Sequence, residues 1–265
     1  MQLAQIKALI SDMDGVLWRQ STPLPGLNDF FDFLHAHDIG YMLATNNSAR
    51  TVTEYVAKLA GFGIQATPER IVTSGVATAL YLQERQPGAR VYVVGMPSLE
   101  RTLAEYGFTL ADEDVDFVVA GIDWTLTYDK IATANRLIRQ GAAFIGTNPD
   151  RTFPSPDGPM PGAGTVLASI QTPSYTEPVV IGKPSPRMFE LALQQLNVQP
   201  GEAAMLGDRL ETDIVGGADA GMKTILVCTG IHTRADLPGS PVQPDAVFDD
   251  LPALIEAWRT ALAAS

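Results

Sequence analysis

Short apolar runs alternate with stretches of helical period along the chain, the pattern of a parallel α/β sheet. Ala8-Leu9-Ile10 reads as a strand that ends in the turn Asp12-Met13-Asp14-Gly15. Phe30, Phe31, Phe33 and Leu34 then share one helix face. Tyr41-Met42-Leu43-Ala44 is a second strand, closing on Thr45-Asn46-Asn47-Ser48. Thr51 and Glu54 form a capping box that opens a helix, and Gly61 or Gly63 ends it. Ile71-Val72-Thr73 makes a third strand, followed by a short helix over 76–83.

Gln86-Pro87-Gly88 is the first candidate domain boundary. After it come a strand at 91–94, a helix through Leu99 and Leu103, and a strand at 117–120. A helix over 128–139 and a strand at 143–145 complete this second alternation. Residues 149–164 are rich in Pro, Gly and Asp without a period, and read as a long loop of the kind that touches substrates. The alternation resumes at Val179-Val180-Ile181, with a helix at 188–196 and a strand at 203–206. A helix at 214–220, strands at 224–228 and 246–248, and a helix from Leu251 finish it. Periodicity alone does not show whether the first and last thirds join in one sheet.

Composition narrows the function. Apolar residues make up 46%, enough for a packed core and against wholesale disorder. Acids outnumber bases 30 to 18, a net charge of −12, and no basic run interrupts them. Such a surface repels nucleic acid, and a phosphate site on it needs a local cation. Cys228 is the sole cysteine, which excludes an intrachain disulfide, and its apolar surroundings suit a buried strand thiol better than a nucleophile. No apolar run approaches the roughly 18 residues of a membrane span, and no basic leader precedes one. The chain is therefore expected to be soluble and cytoplasmic.

Candidate chemistry gathers at strand ends. Strand side chains repeat every two residues, so Asp12 and Asp14 point the same way, about 7 Å apart along the chain. Gly15 allows a sharp turn and close approach of a ligand. Ligands of open α/β sheets bind beyond the carboxyl ends of strands, where this turn lies. Thr45-Asn46-Asn47-Ser48 offers a hydroxyl, amides and backbone N–H groups suited to phosphate oxygens. Gly182-Lys183-Pro184-Ser185-Pro186 puts a lysine at another strand end, and Gly207-Asp208 with Asp213 supplies two further acids. Taken singly, these are also what turns, helix caps and solvated surfaces look like. Together they crowd carboxylates in a way that a hard divalent cation with oxygen ligands resolves; Mg²⁺ fits best.

In this order the four stretches resemble the four motifs of the haloacid dehalogenase superfamily of phosphatases. More narrowly, Asp12-Met13-Asp14-Gly15-Val16-Leu17, Thr45-Asn46-Asn47-Ser48, Gly182-Lys183-Pro184-Ser185-Pro186 and Gly207-Asp208-Arg209-Leu210-Glu211-Thr212-Asp213-Ile214 resemble the NagD-type subfamily (class IIA, C2 cap). That subfamily includes nucleotide, sugar-phosphate, phosphoglycolate and pyridoxal-phosphate phosphatases. The likeness implies an α/β fold: a Rossmann-like parallel-sheet core over 1–78 and 179–265, and an inserted α/β cap over 79–178 that selects substrates.

The likeness also implies roles. Asp12 would be the nucleophile that forms an aspartyl-phosphate, and Asp14 the acid and then base. Thr45, Asn46 and Asn47 would hold phosphoryl oxygens, with Lys183 neutralising charge. Mg²⁺ would be held by Asp12, the Asp14 carbonyl, Asp208 and Asp213, the last directly or through water. The loop Thr147-Asn148-Pro149-Asp150-Arg151-Thr152-Phe153 is the candidate substrate contact, with Asp150 and Phe153 its site residues. Mammalian pyridoxal-phosphate phosphatases carry a histidine where Phe153 stands, which speaks against pyridoxal phosphate. The expected partner is a small phosphorylated metabolite, and the subfamily is compatible with a cap-mediated homodimer.

Alternatives share residues but not all of them. A mutase or phosphotransferase would use Asp12 with an acceptor other than water. A dehalogenase would not need the metal group. A phospho-aspartate receiver usually carries adjacent acids after its first strand, whereas Met13 separates this pair. The remaining features read as structural. His35, His37 and His232 match no metal spacing and read as surface or capping residues, Gly162-Ala163-Gly164 lacks the third glycine of a dinucleotide loop, and Trp18, close behind the first motif, is placed either to flank the pocket or, the plainer reading, to pack. Trp124 and Trp258 give no functional clue.

Overall fold

A computed structural model of the protein describes residues 2–155 and 158–264. The chain forms two compact units, one of residues 1–45, 56–72 and 183–265, the other of 46–55 and 73–182. Each has its own sheet and core.

The first unit is built on six strands in the order Ala246–Phe248, Lys223–Val227, Ala203–Gly207, Ala8–Ser11, Gly40–Thr45, Ile71–Thr73. The pairings from Ala246–Phe248 across to Gly40–Thr45 are all parallel. The first and last thirds of the chain therefore meet in one sheet, the point that periodicity left open. Ala8, Leu9 and Ile10 are fully buried, as a strand with both faces covered must be, and this explains its unbroken apolar run. Chain order runs from Ala8–Ser11 to Gly40–Thr45 on one side and resumes with Ala203–Gly207 on the other. The central strand is thus the topological switch point, where ligands bind in open α/β sheets.

The second unit carries a five-stranded sheet in the order Val179–Val180, Ala143–Gly146, Phe117–Ala120, Arg90–Val94, Thr109–Leu110, parallel throughout. Val94, Val118, Phe144, Leu167 and Ile170 form its core. The expected insertion, 79–178, lies inside this unit, which also takes in the start of helix Ser74–Arg85 and residues 46–55. The added segments are anchored by helix Pro97–Glu105. Ser98 Oγ donates to the Ala49 carbonyl at 2.8 Å, Arg101 pairs with Glu54, and a methyl at Gly75 would rest on Leu99.

Two local expectations change. The stretch 149–164 is not irregular: Thr152–Ser155 and Gly158–Pro161 pair antiparallel, and helix Ala163–Ser174 begins at once. Its prolines hide the strand signal, because proline suits edge pairings that need no donor. The segment after Gly207-Asp208 opens as a π-helix, Leu210–Ile214, before the α-helical turn Val215–Asp219. The Thr51–Glu54 capping box forms as read, with both reciprocal bonds present. Among the described residues no helix is long and apolar enough to cross a membrane.

Candidate functional site

Asp12 follows directly on the central strand, its N–H donating to the Leu206 carbonyl at 2.8 Å. The sheet register therefore places its carboxylate beside the ends of Ala203–Gly207 and Gly40–Thr45, where motifs far apart in sequence converge. Lys183 Nζ lies 2.8 Å from Asp12 Oδ1 and 2.8 Å from Asp213 Oδ1, and donates to the Ala44 carbonyl at 3.0 Å. Lysine is almost never fully buried unless paired; here it is 1% exposed.

Asp213 is held from the other side by its own backbone neighbours. Its Oδ2 accepts the Asp208 and Arg209 N–H groups at 3.2 and 3.0 Å. A methyl on Gly207 would collide with this carboxylate, so the motif's glycine is what lets Asp213 close on the strand end. Asp208 accepts the Ile231 N–H on Oδ2 at 2.7 Å. Its Oδ1 is buried and has no hydrogen-bond partner among the described residues.

Asp12, Asp208 and Asp213 each offer an oxygen within 4.8 Å of the others. Three carboxylates against one ammonium leave excess negative charge in a dry place. Burial pushes Asp12 up to about 7, with Asp213 and Asp14 adding to the shift and Lys183 opposing it. Burial likewise raises Asp208 well above the carboxylate range, helped by Asp12 and Asp213. For Lys183, burial works against the charge, but Asp12 and Asp213 outweigh it and hold the ammonium above its usual range. An orphaned oxygen among three buried acids fits a hard divalent cation, which takes oxygen ligands.

Asp14 is not one of these three, though its charge acts on Asp12. Its Oδ1 accepts the indole N–H of Trp18 at 2.8 Å, and the Gly15 N–H donates to the Trp18 carbonyl at 2.7 Å. Gly15 has φ +92°, and a methyl there would run into Asp208; the turn needs glycine for both reasons. Trp18 is fully buried, so it packs as read, but its link to Asp14 was not foreseen. A tryptophan four residues after an acid gives no pattern that announces a hydrogen bond.

Thr45 ends its strand in the first unit, 3% exposed. Asn46 and Asn47 belong to the second unit. The Asn46 amide donates to Asp150 Oδ1 at 3.1 Å, joining two predicted site residues. The Asn46 carbonyl accepts from Ser74 Oγ and Asn148 Nδ2, both at 2.6 Å. Ser74 carried no sequence signal, and Asn148 lay unremarked within the candidate loop. Asn47 Oδ1 accepts the Ala49 N–H at 2.8 Å, a turn-forming contact. Phe153 is half-buried, its ring 6.2 Å from that of Trp124, which is 62% exposed. Gly162 and Gly164 press on the Asp150 and Pro149 carbonyls, close packing rather than a nucleotide loop.

A parallel sheet with buried acids and a lysine at its switch point defines a class of enzyme, and the comparisons agree with it. Residues 9–109 match the haloacid dehalogenase-like hydrolase family, and 180–254 a second HAD-hydrolase-like family. The chain belongs to the haloacid dehalogenase-like hydrolases, within the phosphatases of the NagD and p-nitrophenylphosphatase type. It is 40% identical over 250 residues to an acid sugar phosphatase of Staphylococcus aureus, covering 94% of this chain and 96% of that one. The 4-nitrophenylphosphatase of Thermotoga maritima matches with a TM-score of 0.94 at 36% identity, over 97% of this chain and 99% of its own. NagD of E. coli K-12 matches at 0.86 and 33% identity, over 93% and 97%. The chain is a phosphohydrolase, which sets aside the phospho-aspartate receiver.

Proposed function

We propose that the protein is a Mg²⁺-dependent phosphomonoesterase acting on small phosphorylated metabolites through an aspartyl-phosphate on Asp12. The observation that carries this is the buried Asp12–Lys183–Asp213 ion-pair chain with the unpartnered Asp208 oxygen beside it. In the first step an Asp12 oxygen bonds to phosphorus, the bond from phosphorus to the leaving oxygen breaks, and Asp14 gives that oxygen a proton. In the second, Asp14 takes a proton from water as it attacks phosphorus, and the Asp12–phosphorus bond breaks to release inorganic phosphate. Lys183 fixes Asp12 by its Oδ1 and offsets the charge of nucleophile and phosphoryl group. Thr45 and Asn46 are the proposed phosphate contacts, with Asn47 contributing backbone rather than its side-chain oxygen.

Asp12 and Asp208 are the proposed direct cation ligands together with the Asp14 carbonyl. Asp213, ion-paired to Lys183 through Oδ1 and accepting two N–H groups on Oδ2, orients the set. The bound cation supplies positive charge that ionises the buried acids and draws phosphate and nucleophile together. The second unit serves as the cap that selects the leaving group, with Asp150 and Phe153 among its contacts. Sugar and aryl phosphates head the substrate list, since the related proteins are named for them. A cytoplasmic location and a homodimer belong to the same proposal.

Phosphate release from a panel of sugar, nucleoside, aryl and glycolate phosphates tests it, with Mg²⁺ or excess chelator, in wild type and Asp12→Asn. Metal-dependent turnover that Asp12→Asn lowers by at least about 10³-fold is expected, as for removal of a covalent nucleophile. Turnover surviving in Asp12→Asn would sink the aspartyl-phosphate. Label appearing in an added alcohol rather than in free phosphate would turn the assignment to phosphoryl transfer.

A further inference from the structure

The segment Thr229 to His232, just past the Lys223–Val227 strand, touches the acid cluster at several points that the mechanism does not use. Thr229 Oγ1 donates to the Gly15 carbonyl at 2.6 Å, and the Ile231 N–H to Asp208 Oδ2 at 2.7 Å. The His232 N–H donates to the Asp208 carbonyl at 3.1 Å. Its imidazole Nδ1 accepts the Leu210 N–H at 3.2 Å. Gly230, between these anchors, lies so close to the Asp208 carboxylate that a methyl would collide with it.

Leu210 opens the π-helix that carries Asp213, and the first N–H groups of a helix have no partner within it. His232 supplies that partner from another strand's loop, because Arg209 before the helix makes no side-chain cap. One residue thus grips Asp208 through its backbone and the Asp213 helix through its ring. Asp208 Oδ2 receives only the Ile231 N–H in this loop, so its direction follows from where Thr229 and His232 pin that loop. The imidazole's other nitrogen is 3.5 Å from Glu211 Oε2, and the side chain is 20% exposed.

We propose that His232 is a positioning residue that sets the spacing of Asp208 and Asp213, and through it the affinity of the acid cluster for a divalent cation. The inference rests on the cation assignment made above. Partners of metal ligands that only orient them typically change metal affinity 10–100-fold when removed. His232→Leu keeps bulk but has no acceptor for Leu210. In His232→Asn the side-chain oxygen stands close to where Nδ1 stood and can accept the same N–H.

The test is Mn²⁺ binding to the metal-free protein, followed by calorimetry or by the spin-resonance signal of free Mn²⁺. His232→Leu is expected to bind about 10-fold or more weakly, and His232→Asn to bind as wild type does. Equal affinity in wild type and His232→Leu overturns the inference, and so does His232→Asn binding as weakly as His232→Leu. Wild-type protein that takes up no Mn²⁺ overturns the cation assignment itself, and the inference with it. Should circular dichroism show His232→Leu unfolded, His232→Ala removes the same Nδ1 acceptor; weakening of about 10-fold supports the inference and unchanged affinity overturns it.

Discussion

Asp14 accepts the indole N–H of Trp18, and that bond matters only if Asp14 acts as the general acid. Trp18→Phe keeps a buried ring and removes the N–H 2.8 Å from Asp14 Oδ1. General acid help counts most where the leaving oxygen is poor. The expected result is therefore a loss of about 10-fold in kcat/KM for an alkyl phosphate, a fraction of what general acids contribute. Little change is expected for p-nitrophenyl phosphate, whose leaving group departs unaided. Equal losses on both would reduce Trp18 to packing. Asp12, Lys183 and Asp208 were legible because each follows an apolar run, the last two directly beside glycine or proline, and Asp213 because it is a second acid five residues past Asp208. The particular hydrogen bonds of Trp18 to Asp14, of Ser74 to the Asn46 carbonyl and of His232 to Leu210 were not, since no residue pattern links the two partners of each.

At the scale of elements, strand positions were readable and the path between them less so. Runs such as Ala8-Leu9-Ile10 and Ala203-Ala204-Met205-Leu206 are apolar on both faces, and no helix of useful length fits them. The sheet order that brings Ala203–Gly207 against Ala8–Ser11 is a long-range pairing with no local trace. The π-helix at Leu210–Ile214 was read as loop followed by helix because its register is set from outside, by His232 on Leu210 and by Asp213 folding back onto Asp208. π-turns of this sort cluster at functional sites. The hairpin at Thr152–Ser155 and Gly158–Pro161 was missed because Pro159 and Pro161 mask the alternation. Asp150, just before it, was still placed well enough to be found bonded to Asn46.

For the whole molecule, the acid cluster makes stability depend on pH and on cations. Asp12 has a folded value of about 7 against about 3.9 for a free aspartate, and Asp208 is shifted the same way. Between those values the folded chain holds more protons than the unfolded one. Stability therefore falls as pH rises through this window, the reverse of a salt-bridged carboxylate. Lys183 is raised, so its contribution persists until pH exceeds the ordinary lysine range and does not enter the same window. Without divalent cations the melting temperature is expected to drop from pH 5 to pH 8. Mg²⁺ should raise it at pH 8 more than at pH 5, where protons compete for the same oxygens. A Mg²⁺ effect independent of pH would mean that the ion acts elsewhere on this chain, whose net charge is −12.

The three tryptophans are distributed so that the chain carries its own optical probe. Trp18 and Trp258 are fully buried in the first unit, the latter against Phe33 at 5.6 Å. Trp124 alone is open to water, in the second unit beside Phe153. Collisional quenchers such as iodide should therefore reach one emitter and leave two untouched. Titrating a non-hydrolysed phosphonate while following only the quenchable, red-shifted emission would report occupancy at the proposed cap loop in real time. Shielding of that emission would place the ligand against Trp124, and unaltered quenching with a bound ligand would place recognition elsewhere. No label has to be introduced.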